Sequence, residues 1–139
     1  MVVLQHETVA VRSDADIVRI RQLVRERARQ QGFGLVDQTK IVTAASELAR
    51  NTMHYGGGGT LRLDVLKEGP RVGLQLTFED CGPGIPDLEL AMRDGYTTGT
   101  GLGLGLGGAK RLSNEFEIES RPGQGTCVRI VRWKLGVRE

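Results

Sequence analysis

Two polar side chains four positions apart, Glu47 and Asn51, could act together on a bound ligand if the chain around them is helical. Residues at this spacing project from the same face of a helix, one turn apart. An amide oxygen is a hard ligand suited to Mg²⁺, and a carboxylate beside it can orient or deprotonate a hydroxyl close to a phosphate. The same pair also fits an exposed helical surface on which Glu47 bonds Arg50 or Asn51. In isolation it leaves both interpretations open.

A second polar feature is the segment Asp-Cys-Gly-Pro-Gly at 80–84, which directly follows a predicted strand. A carboxylate at the end of a strand can accept a hydrogen bond from an exocyclic amine, which adenine carries and guanine lacks at the matching position. The loss of such a polar partner usually discriminates strongly between ligands. Gly82 and Gly84 would let the backbone pass close to a flat ligand. A plain turn has the same composition, so this segment also needs support from elsewhere in the chain.

A third feature is the glycine-rich run at 99–108, Gly-Thr-Gly-Leu-Gly-Leu-Gly-Leu-Gly-Gly. It is not a dinucleotide fingerprint, because no strand precedes it, and it is not a phosphate-loop lysine motif. Ala109 stands before Lys110 where that motif needs glycine, and Arg111 follows where it needs serine or threonine. Small residues expose backbone N–H groups, and a helix that begins within the run would add its positive end. Both properties suit phosphate oxygens.

Two predicted helices lie in the first part of the chain. The first begins at Ser13 or Asp14 and stops at Gly32, and the second is predicted to have Asp37 as its cap and to end near Tyr55, where four glycines follow. Their inward-facing positions, which are mostly apolar, recur at intervals of three and four. These positions are Ile17, Ile20, Leu23, Val24 and Ala28 in the first helix, and Ile41, Ala44, Ala45, Leu48 and Thr52 in the second.

The remaining elements are mostly strands. Alternation with a period of two predicts strands over 60–66 and 72–78, and two further strands over 115–120 and 126–135 are joined by a turn that contains proline and glycine. A short helical turn is expected over 87–93, and a helix from Leu106 to about Asn114. His6 falls in a probable edge strand. This order predicts an α/β fold, a two-layer sandwich with a mixed, mostly antiparallel sheet and helices on one face.

Length and charge limit the class of protein. A chain of 139 residues fits one domain, 1–139, and a formal charge of +2 is too small and too dispersed to indicate a nucleic-acid surface. No apolar run approaches a membrane span and no signal-peptide pattern is present, so we expect a cytoplasmic protein without membrane partners. Cys81 and Cys127 have no metal-ligand spacing and are expected to be reduced and partly buried.

The chain resembles the Bergerat-fold (GHKL) ATPases and kinases, which form the gyrase, heat-shock-90, MutL and histidine kinase superfamily. The resemblance lies in the order of four motifs: the helical Glu-x-x-x-Asn, the strand-end Asp-x-Gly-x-Gly, the glycine run and a later Gly125-Thr126. The resemblance implies ATP and Mg²⁺ as cofactors, with Glu47 as general base, Asn51 as the metal ligand and an ATP contact, and Asp80 as the reader of the adenine amine. It also implies further ATP-binding positions at Gly82, Gly84, Ile85, Gly101, Leu102, Gly103, Leu104, Gly105, Leu106, Lys110 and Thr126.

Within that superfamily the chain is similar to the RsbT-type switch kinases, through the segments 32–38, 46–51, 110–112 and 115–116. Such kinases phosphorylate serine or threonine on STAS-domain antagonist or scaffold proteins and, once released, activate a downstream PP2C-type phosphatase or cyclase. Anti-sigma kinases usually carry small residues after the base glutamate, whereas Leu-Ala-Arg stands here. An anti-sigma kinase that binds a sigma factor directly, and a nucleotide-gated binding module without catalysis, are the alternatives.

Overall fold

The computed structural model of the protein describes residues 1–92 and 105–134. Within these ranges the chain folds into one antiparallel sheet and two long and two short helices. The strands are β1 (Val2–Val11), β2 (Gly59–Glu68), β3 (Arg71–Asp80), β4 (Glu115–Arg121) and β5 (Gly125–Trp133). The helices are α1 (Asp14–Gln30), α2 (Leu35–His54), α3 (Leu88–Ala91) and α4 (Gly105–Arg111).

The strands lie in the order β1-β2-β3-β5-β4, so β5 is inserted between β3 and β4. All four pairings between the described strands are antiparallel, where the sequence allowed for a mixed sheet. The register of β3 and β5 opposes Glu79 to Cys127, and therefore brings Thr126 next to the end of β3 at Asp80. The predicted two-layer sandwich is confirmed, with the helices packed against one face of the sheet.

Helix α1 forms as its sequence predicts. Of the two candidate caps, Ser13 is the one used, and its hydroxyl accepts a hydrogen bond from the backbone N–H of Asp16 at 3.2 Å. This satisfies one of the N–H groups that a helix leaves without partners at its start. The buried residues of α1 are Ile17, Ile20, Val24 and Ala28, while Leu23 packs at the edge of the core.

Helix α2 begins earlier than predicted, and the prediction of Asp37 as its cap was wrong. The cap residue is Gly34, without a side-chain hydrogen bond, and the backbone N–H of Gln38 already bonds the carbonyl of Gly34 at 2.9 Å. Asp37 lies in the first turn of the helix, and its carboxylate pairs with Arg132 of β5 at 2.6 Å. The inward stripe predicted for this helix, and its end next to Tyr55, are confirmed.

The sheet face away from the helices carries a band of polar side chains that crosses four strands. Gln75 donates to Asp64 at 3.2 Å and accepts from Arg129 at 2.9 Å, and Arg129 also pairs with Glu117 at 2.7 Å. Beside this band lies a second small cluster of buried apolar residues, formed by Leu66, Val131 and Trp133. The outer face is therefore stabilised mainly by hydrogen bonds and ion pairs, and the inner face by apolar packing.

Several smaller expectations differ from the structure. Helix α4 ends at Arg111 rather than near Asn114, where the backbone N–H instead bonds the carbonyl of Val131. Cys81 is exposed, whereas Cys127 is partly buried as expected. The predicted ends of the 87–93 turn and of the last strand lie outside the described residues. Across residues 1–92 and 105–134, none of the helices combines the length and apolarity of a membrane span.

Candidate functional site

A cavity of about 330 Å³ opens at the ends of α2, β3 and β5, and it is floored by the loop that follows β3. Its volume lies in the range typical of small-molecule sites. The walls are mostly apolar, with a few polar groups among them, as expected for a site that holds a flat ring and orients it by hydrogen bonds. The lining residues are Leu48, Asn51, Thr52, Tyr55, Gly56, Phe78, Asp80, Pro83, Gly84, Ile85, Pro86, Asp87, Leu90, Ala91, Gly105, Leu106, Thr126 and Val128.

Asp80 is one of two carboxylates among the lining residues, the other being Asp87, and the backbone fixes its orientation. Its Oδ1 accepts two hydrogen bonds from main-chain N–H groups, from Gly82 at 2.9 Å and from Thr126 at 3.2 Å. Two bonds to the same oxygen restrict the rotation of the carboxyl group. The carboxyl group is therefore presented to the cavity as a positioned hydrogen-bond acceptor.

Gly56 fits closely against this carboxyl group. A Cβ atom built at Gly56 would lie 2.3 Å from Cγ of Asp80 and 2.5 Å from its Oδ2, and one built at Gly82 would lie 2.7 Å from Cα of Gly56. Only glycine at position 56 leaves room for the carboxyl where it stands. The sequence placed Gly56 in a glycine-rich loop, with no sign that the loop would fold back onto Asp80.

The loop 81–87 is held against the turn between β4 and β5. The N–H of Gly123 bonds the carbonyl of Pro83 at 2.8 Å, and the N–H of Ile85 bonds Oγ of Ser120 at 2.7 Å. Gly84 has φ +80°, and a Cβ there would lie 2.4 Å from the carbonyl oxygen of Arg121, so the contact requires glycine. The sequence offered no signal for Ser120, because its bond to the loop joins it to Ile85, 35 positions earlier in the chain.

Glu47 and Asn51 lie on α2 at the predicted spacing, but only Asn51 lines the cavity. Glu47 is 4% exposed, and its carboxylate is paired with Arg50 at 2.9 Å. Arg50 is one of the two partners that we considered for Glu47 in the interpretation without a catalytic role. In this arrangement Glu47 stands behind the cavity wall and not within it.

The other predicted positions divide into three groups. Gly84, Ile85, Gly105, Leu106 and Thr126 line the cavity. Gly82 lies behind Asp80 and does not line it, and Lys110 is exposed on α4, away from the lining residues. Gly101, Leu102, Gly103 and Leu104 lie outside the described residues.

The side chains at the site fit a cation that takes most of its ligands from water and a bound substrate and few from the protein. Among the described residues, no three His, Cys, Asp or Glu side chains come together in a group that could hold a metal. The amide of Asn51 is the hard ligand that α2 places at the cavity wall. Mg²⁺ is typically bound in this manner, by one or two side chains together with water and the phosphates of a substrate.

Negative charge gathers next to Asp80 and affects Cys127 on β5. Burial raises the pKa of the Cys127 thiol, and the nearby carboxylates of Glu79, Glu119 and Asp80 raise it further. Both effects disfavour the thiolate. Cys127 therefore remains a neutral thiol at physiological pH, and it adds no negative charge beside the site.

Comparisons with known proteins agree with this architecture. Residues 36–137 match the family of histidine kinase-, DNA gyrase B- and HSP90-like ATPases. The chain is 46% identical over 125 residues to the serine/threonine-protein kinase RsbT of Bacillus subtilis (strain 168), which covers 90% of this chain and 94% of that protein. It is 29% identical over 123 residues to an anti-sigma F factor of Thermoanaerobacter sp. (strain X514), which covers 81% and 82%. Among solved structures, the mycobacterial sensor histidine kinase MprB aligns with a TM-score of 0.54 at 18% identity over 94% of this chain and 98% of that one, which shows the fold alone.

Proposed function

Since the chain belongs to the family of histidine kinase-, DNA gyrase B- and HSP90-like ATPases, and within it to the RsbT-type serine/threonine protein kinases, we propose that it is an ATP- and Mg²⁺-dependent kinase of a partner-switching module. Its substrates are serine or threonine residues of STAS-domain antagonist or scaffold proteins. The observation that carries the proposal is the backbone-anchored Asp80 in a cavity whose lining is mostly apolar.

Asp80 suits the recognition of adenine. An ionised carboxylate accepts hydrogen bonds only, so it pairs with an exocyclic amine and is repelled by a carbonyl oxygen at the same position. The apolar lining on either side, which includes Leu48, Phe78 and Val128, fits the faces of a purine ring. Together these groups favour adenine nucleotides over guanine nucleotides.

Phosphoryl transfer requires the nucleophile and the phosphates to be brought together beside the metal ligand. We assign Asn51 as the protein ligand of Mg²⁺, which when bound neutralises charge on the phosphates. Glu47 is the general base that takes the proton from the incoming serine or threonine hydroxyl, while the hydroxyl oxygen bonds the γ-phosphorus and ADP leaves. Arg50 contacts Oε2 of Glu47 at 2.9 Å, and the carboxylate has a second oxygen with which it can accept the proton of the hydroxyl.

The partner class rests on the named relatives. We propose that phosphorylation of the STAS-domain partner releases the kinase, which then activates a PP2C-type phosphatase or a cyclase. An anti-sigma kinase is the alternative supported by the likeness to anti-sigma F factors, which is lower in identity and coverage than the likeness to RsbT. The second alternative is a nucleotide-gated binding module without catalysis, which needs no general base and in which Glu47 serves only as the ion-pair partner of Arg50.

The test is incubation of the protein with γ-labelled ATP, Mg²⁺ and purified STAS-domain proteins encoded beside it. We expect label on serine or threonine of one of them. Glu47→Gln is expected to bind ADP as wild type does and to lose transfer. Glu26→Gln is the matched control, because Glu26 forms the same kind of ion pair, with Arg29 three residues on at 2.6 Å, on the exposed side of α1.

Two outcomes contradict the assignment. Undiminished transfer by Glu47→Gln removes this residue as the base. Nucleotide binding without label on any STAS-domain protein favours the binding module. Asp80→Asn tests the adenine site separately, because an amide in place of the carboxylate offers the amine a weaker acceptor. We expect ADP binding to fall beyond calorimetric detection, and wild-type affinity would contradict the role of Asp80.

A further inference from the structure

Ser120 on β4 lies behind the cavity wall, and its hydroxyl is the point at which three segments of the site meet. Its Oγ lies 2.7 Å from the backbone nitrogen of Ile85, 2.8 Å from Oγ1 of Thr126 and 3.3 Å from the carbonyl oxygen of Gly125. We propose that Ser120 is a positioning residue that determines base specificity, by holding the hydroxyl of Thr126 as a hydrogen-bond donor beside Asp80. The inference rests on the proposed function, since it concerns which base this site takes.

The hydrogen-bonding capacity of Ser120 decides the direction of each contact. A serine hydroxyl has one proton to donate and two lone pairs to accept with. The N–H of Ile85 occupies one lone pair. The proton can go to Thr126 at 2.8 Å or to the carbonyl of Gly125 at 3.3 Å. Either hydroxyl could donate across the 2.8 Å contact between Ser120 and Thr126. We assign the donated proton to Ser120, because its other acceptor, the carbonyl of Gly125 at 3.3 Å, lies outside the usual range of O–H···O bonds.

This donation determines what Thr126 offers to a ligand. Thr126 is a lining residue of the cavity, and with an incoming bond on its oxygen its hydroxyl can direct its own proton toward a ligand there. The backbone N–H of the same residue bonds Oδ1 of Asp80 at 3.2 Å, so the hydroxyl and the carboxylate are neighbours. The wall therefore presents an acceptor next to a donor.

An acceptor next to a donor is complementary to an amine next to an unprotonated ring nitrogen, which is the edge of a 6-aminopurine. A 6-oxopurine presents the reverse, a carbonyl oxygen next to a ring N–H, and it is mismatched at both positions. Without Ser120 the hydroxyl of Thr126 can rotate and act either as a hydrogen-bond donor or as an acceptor toward the base. A 6-oxopurine then loses one of its two mismatches, and discrimination decreases while the site remains in place.

The experiment is calorimetric titration of wild type and variants with ADP and with inosine 5′-diphosphate, which differ at the 6 position and the adjacent ring nitrogen. We expect Ser120→Ala to reduce the preference for ADP over inosine 5′-diphosphate by about tenfold, the usual effect of one hydrogen bond between neutral groups. Ser120→Thr keeps the hydroxyl and is expected to restore the preference. Ser113→Ala is the matched control, because it removes an equally short hydroxyl bond, to the carbonyl of Ala109 at 2.7 Å, at the far end of α4.

The ratio of the two affinities separates this role from a purely structural one. If Ser120 only supported the loop through Ile85, its loss would weaken both diphosphates equally, and an unchanged ratio overturns the inference. In a Thr126→Val background, Ser120→Ala is expected to leave the ratio of ADP to inosine 5′-diphosphate affinity unchanged. A further fall of this ratio in the double variant also overturns the inference. Ser120→Cys, with a weaker donor, is the substitute if the alanine variant fails to fold. Wild-type protein that binds neither diphosphate refutes the proposed function, and the inference with it.

Discussion

Replacement of Gly56 by alanine tests whether the position of Asp80 governs nucleotide binding. The backbone of Gly56 does not have a positive φ, so alanine can adopt its conformation and the effect is one of contact alone. The added Cβ would lie 2.3 Å from Cγ and 2.5 Å from Cβ of Asp80. An ordinary contact between carbon atoms is about 3.5 Å, so the carboxyl group must move by about 1 Å.

That displacement is large compared with the bonds that hold the carboxylate. Oδ1 accepts from Gly82 at 2.9 Å and from Thr126 at 3.2 Å, and a shift of about 1 Å breaks at least one of them. Overpacking of this kind costs about 1–3 kcal/mol. With an unfolding entropy of roughly 2 cal/mol/K per residue over 139 residues, Tm is expected to fall by about 3–10 °C. ADP affinity is expected to fall by about ten- to a hundredfold, because the acceptor no longer meets the amine.

The measurements are calorimetric titration with ADP and a thermal melt of the free protein. Gly57→Ala is the control in the same loop, because position 57 has φ +74° with open space around it, so alanine strains the backbone without touching Asp80. We expect this control to lower Tm and to retain ADP affinity. Wild-type affinity in Gly56→Ala, or equal losses of affinity in the two variants, would refute the argument that contact with Asp80 is what matters.

Two further predictions concern stability and thiol chemistry. Arg132→Met leaves the carboxylate of Asp37, whose side chain is 9% exposed, without its cation. We expect a loss of about 3–5 kcal/mol and of roughly 10 °C or more in Tm by scanning calorimetry. Arg19→Gln, which breaks an ion pair with Asp16 on the exposed face of α1, is the control and is expected to leave Tm nearly unchanged. Burial and neighbouring carboxylates raise the pKa of Cys127, so its thiolate fraction is low at pH 8 and increases as the pH rises toward that pKa. Iodoacetamide is therefore expected to label the exposed Cys81 before Cys127. Equal labelling rates of the two cysteines at pH 8, measured by mass spectrometry, would contradict the effect of burial.

The elements that depend on local periodicity could be predicted from the sequence. The apolar stripe of α2 and the alternation of β2 and β3 repeat over many residues, so their buried faces and the position of Asp80 at a strand end were predicted correctly. The start of α2 was not, because the carboxylate of Asp37 is held by a residue 95 positions away and not by the helix. Spacing within the chain does not contain this information.

The site residues also divide into those that local sequence motifs predict and those that depend on contacts between distant segments. Thr126, Gly84 and Asn51 were recognisable as cavity residues from the order of motifs. Gly56 and Ser120 were not, since each is defined by a contact that exists only after the sheet has formed. The pairing of Glu47 lies between these cases: helical spacing allowed both a catalytic and an ion-paired carboxylate, and the structure shows the ion pair with Arg50.

The position of β5 within the sheet has a consequence for how this chain becomes competent during synthesis. β5 is the last of the described strands to leave the ribosome, yet it belongs between β3 and β4. Until it docks, β3 has an open edge that can pair with other chains, and β4 has no neighbour. Asp80 also lacks the N–H of Thr126. A nascent chain therefore cannot form its nucleotide site gradually, because the strand that closes the sheet is also the one that completes the site.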